Sequence, residues 1–207
     1  RRVVMKERSV GHEATAAELA EMVALLQQSV REGGLGFSTS LAPTHNDGAG
    51  EPVPSRHASR EEVVALARAL RDLPGTVLEA IPGTGLWGEK EKSIMSDLSL
   101  AANRPLNWNL LNPNSIQPSY TDIQLAASDY AAERGATVVA LTPPTSPTVR
   151  INLDAGFVFD ALPNWPELFK LSIPERIERL KDPAFRRKLD EGAHSEGAGL
   201  LRGLANW

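Results

Sequence analysis

The sequence predicts an α/β protein built on a parallel sheet, and three observations carry that expectation. Short apolar runs begin near residues 35, 76, 106 and 137, and amphipathic stretches separate them. The spacing of about 30 to 40 residues suits successive strand–helix–strand units. The runs are continuous rather than alternating, as expected of strands buried on both faces.

The elements follow in order. Thr15 with Glu18 makes a capping box, and Leu19, Met22, Val23, Leu26 and Val30 give the following helix one apolar face before Gly33-Gly34 stops it. Leu35 to Ser40 is the first strand. A second capping box, Ser59 with Glu62, opens a helix carrying Val63, Leu66, Ala67 and Leu70 and ending before Leu73-Pro74-Gly75. Thr76 to Ile81 is the second strand, with Pro82-Gly83-Thr84-Gly85 as its exit loop, and a helix from Glu89 to Ala102 follows. Leu106 to Leu111 reads as the third strand, with a turn-rich exit at Asn112 to Pro118. Ser119 with Asp122 caps a fourth helix that ends at Gly135, and Thr137 to Leu141 is the fourth strand, leaving through Thr142 to Pro147. Beyond residue 150 the rhythm breaks. Ile151 to Leu162 fits a strand or a buried loop, Ser172 with Pro174 at the first helical position starts one helix, and Asp182-Pro183 starts another that stops at Gly192. The expected organisation is residues 1–150 as strand–helix units and residues 151–207 as a mostly helical segment.

Composition narrows the function classes. At 207 residues, 42% hydrophobic, 23% charged and net charge −4, the chain is long enough for one sizeable core and has no basic stripe for nucleic acid. The basic residues Arg1, Arg2, Lys6 and Arg8 read as a solvated edge. No run approaches the roughly 18 apolar residues of a membrane span, and no signal peptide opens the sequence, so no membrane partner and a cytoplasmic location are expected. The absence of cysteine excludes disulfides, thiolate metal sites and a cysteine nucleophile. The first residue is not Met, and a missing N-terminal portion is expected.

In a parallel sheet or barrel, ligands meet the C-terminal ends of the strands, so the polar residues there are the candidates. The loop after the first strand offers His45, Asp47, Arg56 and His57. His45 and Asp47 suit a base and its orienting group, and His45 with His57 suits a metal pair. Their spacing matches neither His-x-His nor His-x-x-x-His, and Asn46-Asp47-Gly48 equally suits a plain turn. Arg56 suits a bidentate clamp on a carboxylate or a surface position. Glu79 lies within an apolar strand, which requires either a partner or a solvated ligand face. Asn107 and Asn109 alternate with Leu106, Trp108 and Leu110, so both amides project to one side, toward a ligand or into a satisfied core pair. These seven residues form the candidate substrate-binding set. No catalytic residue and no metal ligand is assigned. His12 and His194 read as local contacts, Gly83-Thr84-Gly85 and Gly197-Ala198-Gly199 lack phosphate-loop spacing, and Trp165 between Pro163 and Pro166 reads as a packed corner.

The string Gly34-Leu35-Gly36-Phe37-Ser38-Thr39-Ser40, with its Pro-containing loop and Ser59-Arg60-Glu61-Glu62-Val63-Val64-Ala65-Leu66-Ala67, resembles the N-acyl-D-amino-acid deacylase branch of the metal-dependent amidohydrolases. Ala42 to Gly48, Pro52 to Arg56 and Ile173 to Pro183 look like a subgroup of amidohydrolase-like proteins. The resemblance implies a (β/α)8 (TIM) barrel with one or two zinc ions at its mouth. It also implies a metal-bound hydroxide attacking an amide carbonyl and an aspartate moving protons. The chain departs from the pattern in three places. Its histidines contain no His-x-His pair, Leu110 stands where a ligand is expected, and Thr76-Val77-Leu78-Glu79 replaces a Thr-His-x-Arg strand. A complete barrel needs about 250 residues and eight strands, so about four strand–helix units imply a partial barrel and an internal piece of a larger protein. The expected substrate is a small N-acylated amino acid or related amide, with zinc in the complete protein and none bound by this chain. The expected partner is a second copy or the rest of its own barrel. A non-catalytic barrel-like binding or scaffold protein that lacks the metal ligands is the alternative.

Overall fold

A computed structural model describes residues 1–48, 50–84, 86–113, 118–145, 148 and 150–206. Parts of the loops read at 82–85, 112–118 and 142–147 lie outside those residues. The chain divides into two compact units. Arg1–Ala42 with Pro54–Pro147 form the first, and Pro43–Val53 with Thr148–Trp207 form the second.

In the first unit a short turn, α1 (Arg2–Met5), leads to α2 (Ala16–Arg31). Then follow β1 (Gly36–Ser40), α3 (Arg60–Arg68), β2 (Val77–Ile81), α4 (Glu89–Ala102), β3 (Leu106–Trp108), α5 (Pro118–Ala132) and β4 (Val138–Ala140). The strands form one parallel sheet in chain order, β1-β2-β3-β4. The sheet is not closed. Leu78, Ala80, Leu106, Trp108 and Val138 point to one face, where they share a core with Val63, Ala67 and Leu70 beside α3, with Ile94, Met95 and Leu98 of α4, and with Ala127 and Ala131 of α5. Leu26 and Val30 of α2 pack on the same core, so the helices cover a single face. Trp108 is fully buried there, its ring 4.5 Å from that of Trp87 in an edge-on pair. The opposite face carries Ser38, Glu79, Asn107 and Val139 in one row across the four strands.

The strands are shorter than the apolar runs that announce them. β3 ends at Trp108 rather than Leu111 and β4 at Ala140 rather than Leu141, although the Leu111 N–H still reaches the Leu141 carbonyl at 2.9 Å. Ser119 lies inside α5, which already begins at Pro118, and is therefore not a cap. The Ser59 cap is half of the expected box. Its side chain accepts from the Glu62 N–H at 3.2 Å, but the Glu62 carboxylate is taken by Arg1. Arg1 is correspondingly not part of a solvated edge. Its side chain is 5% exposed, its Nε donates to Glu62 Oε1 at 2.6 Å, and its guanidinium also donates to the carbonyls of Ser9, His12, Pro54 and His57. Arg104 clasps in a similar way the carbonyls of Leu70, Arg71, Leu73 and Thr76, where α3 gives way to β2.

In the second unit, α6 (Pro166–Phe169), α7 (Ile173–Lys181) and α8 (Pro183–His194) follow a long irregular segment. Residues 151–162 form no strand. The Asn152 side chain accepts from the N–H groups of Asp154 and Ala155 at 3.0 and 3.2 Å, which turns the chain. Leu168, Phe169, Phe185 and Leu189 are the core of this unit, and Trp165 stacks on Phe159 and Phe169 as a packed corner. Pro174 takes the second helical position rather than the first, and α8 runs past Gly192 to His194. Gly192 is needed there because a Cβ would lie 1.9 Å from the Pro163 carbonyl oxygen. Among the described residues no helix is long and apolar enough to cross a membrane.

Candidate functional site

Glu79 in the middle of β2, Asn107 in the middle of β3 and Asn109 just past its end come together on the sheet face opposite the helix-covered core. Leu78 and Ala80 face the helices, so the pleat turns Glu79 between them to the other side, and Asn107 and Asn109 flank Trp108 for the same reason. Glu79 and Asn107 are direct register partners. The Asn109 N–H donates to the Ala80 carbonyl at 3.3 Å, which continues the ladder one step past β3, and its Nδ2 donates to Glu79 Oε1. All three side chains are half-buried. Asn109 Oδ1 is buried and has no partner among the described residues. The row therefore offers a carboxylate and two amides side by side, a surface able both to donate to and to accept from a polar planar group such as an amide.

The exit loop of β2 is anchored to the helix side of the sheet by Trp87 and to α5 by Tyr120, two residues the sequence did not single out. Trp87 Nε1 donates to the Gly83 carbonyl and the Tyr120 hydroxyl to the Thr84 carbonyl, each at 3.3 Å. Burial raises the pKa of the Tyr120 phenol above its usual value, so it stays a donor at neutral pH. Tyr120 shares an apolar face with Ala127, a helical spacing visible in the sequence, but nothing local indicates that its hydroxyl returns to residue 84.

The loop residues are distributed differently. Arg56 and His57 belong to a 3-10 turn, Pro54–His57, in the first unit. The His57 carbonyl accepts from Arg1 at 3.2 Å, while its Nε2 is buried and has no partner among the described residues. His45 and Asp47 lie in the second unit, in a small hairpin with an Asn46–Pro52 bridge. Asp47 Oδ1 accepts from the Glu51 N–H at 3.2 Å, and the Asp47 carbonyl accepts from Gly50 at 2.9 Å, so its carboxylate serves the turn. Lys170 pairs with Glu51 at 3.4 Å on the same hairpin. Of the seven candidates, the structure thus gathers Glu79, Asn107 and Asn109 into one site, and leaves Arg56 and His57 in a separate turn. Among the described residues no group of three or more His, Asp or Glu is placed to hold a metal ion.

No family model, curated protein or solved structure matches this sequence. The functional reading rests on the short strings quoted above and on this geometry.

Proposed function

We propose that the chain is part of a (β/α)8 barrel from an amidohydrolase-like hydrolase, one that cleaves the carbon–nitrogen bond of an N-acylated amino acid only in the complete protein. The observation that carries the reading is the polar row Glu79, Asn107 and Asn109 on the sheet face opposite the helices, with Asn109 just past the end of β3. Four parallel strands in chain order, with α2, α3, α4 and α5 of the first unit packed on the opposite face, support it, since consecutive units of a barrel have that strand order and helices on one face. In this reading the row is a wall that binds the substrate amide. The half-buried Asn107 amide holds the acyl-amide group, and the Glu79 carboxylate keeps the neighbouring Asn109 side chain in place. The donor set among the described residues does not fit a zinc centre, so the metal that the family uses belongs, in this proposal, with residues of the complete protein, and no step is derived through it.

The test is made on the protein that carries this segment with its flanking sequence. Release of acetate from N-acetyl-D-amino acids, abolished by a chelator and restored by zinc, is the expected result. Activity indifferent to the chelator overturns the metal-dependent reading. In the same protein Asn107→Ala should raise KM about fivefold, the effect of losing a hydrogen bond worth about 1 kcal/mol, with a smaller change in kcat. A kcat loss with KM unchanged would remove the wall from the proposal. One observation favours a second reading, a non-catalytic binding or scaffold protein. Leu110, 49% exposed, occupies the strand end where the family pattern has a ligand. Binding of N-acetyl-amino acids without turnover in the presence of zinc selects that alternative.

A further inference from the structure

The second unit contains a groove of about 690 Å³ at α7 and the start of α8. Leu171, Pro174 and Phe185 give it an apolar lining, and Glu175, Glu178 and Asp182 form an acidic rim. Two observations mark it as an unfilled surface. First, α7 buries no side chain completely; of its apolar residues Leu180 is the one packed against the described core of the unit, partly buried, while Arg176 and Arg179 lie over the Phe169 and Phe185 rings. The helix is held instead by Arg176, whose guanidinium donates to the carbonyls of Leu153, Asp154, Phe169 and Leu171 at 2.6 to 2.9 Å. A polar clamp of this kind fixes the helix without filling the space beside it.

Second, the charge of the rim is only partly answered within the chain. Lys181 pairs with Glu178 at 2.6 Å, Lys188 pairs with Glu167 on the groove's edge, and Arg179 is turned onto the Phe185 ring, 4.7 Å from its centroid. Glu175 accepts from the Ser172 N–H at 2.9 Å and from its hydroxyl, and Asp182 from the Ala184 N–H at 2.8 Å. Neither carboxylate has an ion-pair partner among the described residues.

We propose that this groove docks a basic amphipathic segment of a partner polypeptide in extended form. Glu175, Glu178 and Asp182 span eight residues, about 10 Å along α7 and its C-cap, which is the length of about three extended residues. Alternation along such a segment turns apolar side chains down onto Leu171 and Pro174. The stems of lysine or arginine on the other side are long enough to bend back to the rim.

The experiment is fluorescence anisotropy of the whole chain with a fluorescein-labelled peptide of alternating lysine and leucine. A glutamate–leucine peptide serves as the comparator. The basic peptide should bind at least about tenfold more tightly than the acidic one and weaken as salt rises from about 20 to about 200 mM. Glu178→Lys should weaken binding about tenfold, because it reverses a charge at the rim where the side chain is 71% exposed and the fold does not depend on it. Glu133→Lys makes the same change of net charge in the first unit and should leave binding as it was. Glu178→Gln, which keeps the shape, should give a smaller loss in the same direction. Equal binding of the two peptides, equal weakening by Glu133→Lys, or no binding at all overturns the proposal. Displacement of the labelled peptide by hexylamine as effectively as by unlabelled peptide also overturns it, in favour of a small-amine site.

Discussion

Glu62 shows how one side chain can serve two structures at once. Its backbone N–H is capped by Ser59, while its carboxylate, 2% exposed, meets Arg1 from 61 residues away. Removing one member of a buried ion pair leaves the other charge without compensation, so Glu62→Ala should cost about 3 kcal/mol or more, read as a fall in the urea midpoint with the slope unchanged. A loss below about 1 kcal/mol would mean that the pair is solvated in solution. Glu18 makes the complementary case on the surface. Hydrogen bonds from the Thr15 amide and hydroxyl, with Arg8 beside it, lower its pKa from 4.5 to about 2. Because the folded value lies below the unfolded one, the carboxylate stabilises the fold above about pH 4.5, and that contribution disappears as the pH falls toward 2. The stability difference between the parent chain and Glu18→Gln should therefore shrink across that window, and a difference independent of pH would contradict the assignment. The Thr15–Glu18 box was legible because its partners are three residues apart. The role of Glu62 was not, since no local pattern records a contact with residue 1.

At the scale of elements, Gly36 decides where β1 can begin. It holds φ at +151°, and a Cβ there would lie 1.9 Å from the Val77 carbonyl oxygen, inside the first pairing of β1 with β2. Gly36→Ala should cost more than about 3 kcal/mol or prevent folding, measured by thermal unfolding followed by circular dichroism, because the obstacle is backbone rather than a movable side chain. Near-normal stability would show that β1 can shift its register. The four strands and the helices between them could be read from apolar runs, capping residues and glycines, all of them local signals. Strand lengths could not, because they depend on pairing between strands distant in sequence: the regular register stops at Trp108 and Ala140, although single backbone bonds such as Leu111 N–H to the Leu141 carbonyl run on past it. The ambiguous run at 151–162 was resolved by one side chain, Asn152, whose turn competes with an extended strand. In the candidate site, alternation about Trp108 was enough to place Asn107 and Asn109 on one side, whereas the hydrogen bond joining Asn109 to Glu79 depends on the pairing of two strands.

At the scale of the molecule, the first unit leaves one face of its sheet without a cover. Val77, Val139 and Leu141 on that face are 51%, 42% and 40% exposed, and β1 and β4 end the sheet at its two edges. Such a surface favours association, and we expect a homodimer or larger species by light scattering at micromolar concentration. A clean monomer would count against it. The assignment of residues 43–53 to the second unit was not legible, since it depends on contacts such as Lys170 with Glu51, made more than a hundred residues later in the chain.

The edge-on pair of Trp87 and Trp108 also has an optical consequence. Two indoles 4.5 Å apart and inclined at 67° share their excited states, so the first unit should carry a paired circular-dichroism band of opposite signs. Trp165, stacked on Phe159 in the second unit, has no second described indole in its stack. Heating the chain while following the paired band beside the far-ultraviolet helix signal, to which α7 and α8 of the second unit contribute, would therefore show whether the two units melt together or one after the other.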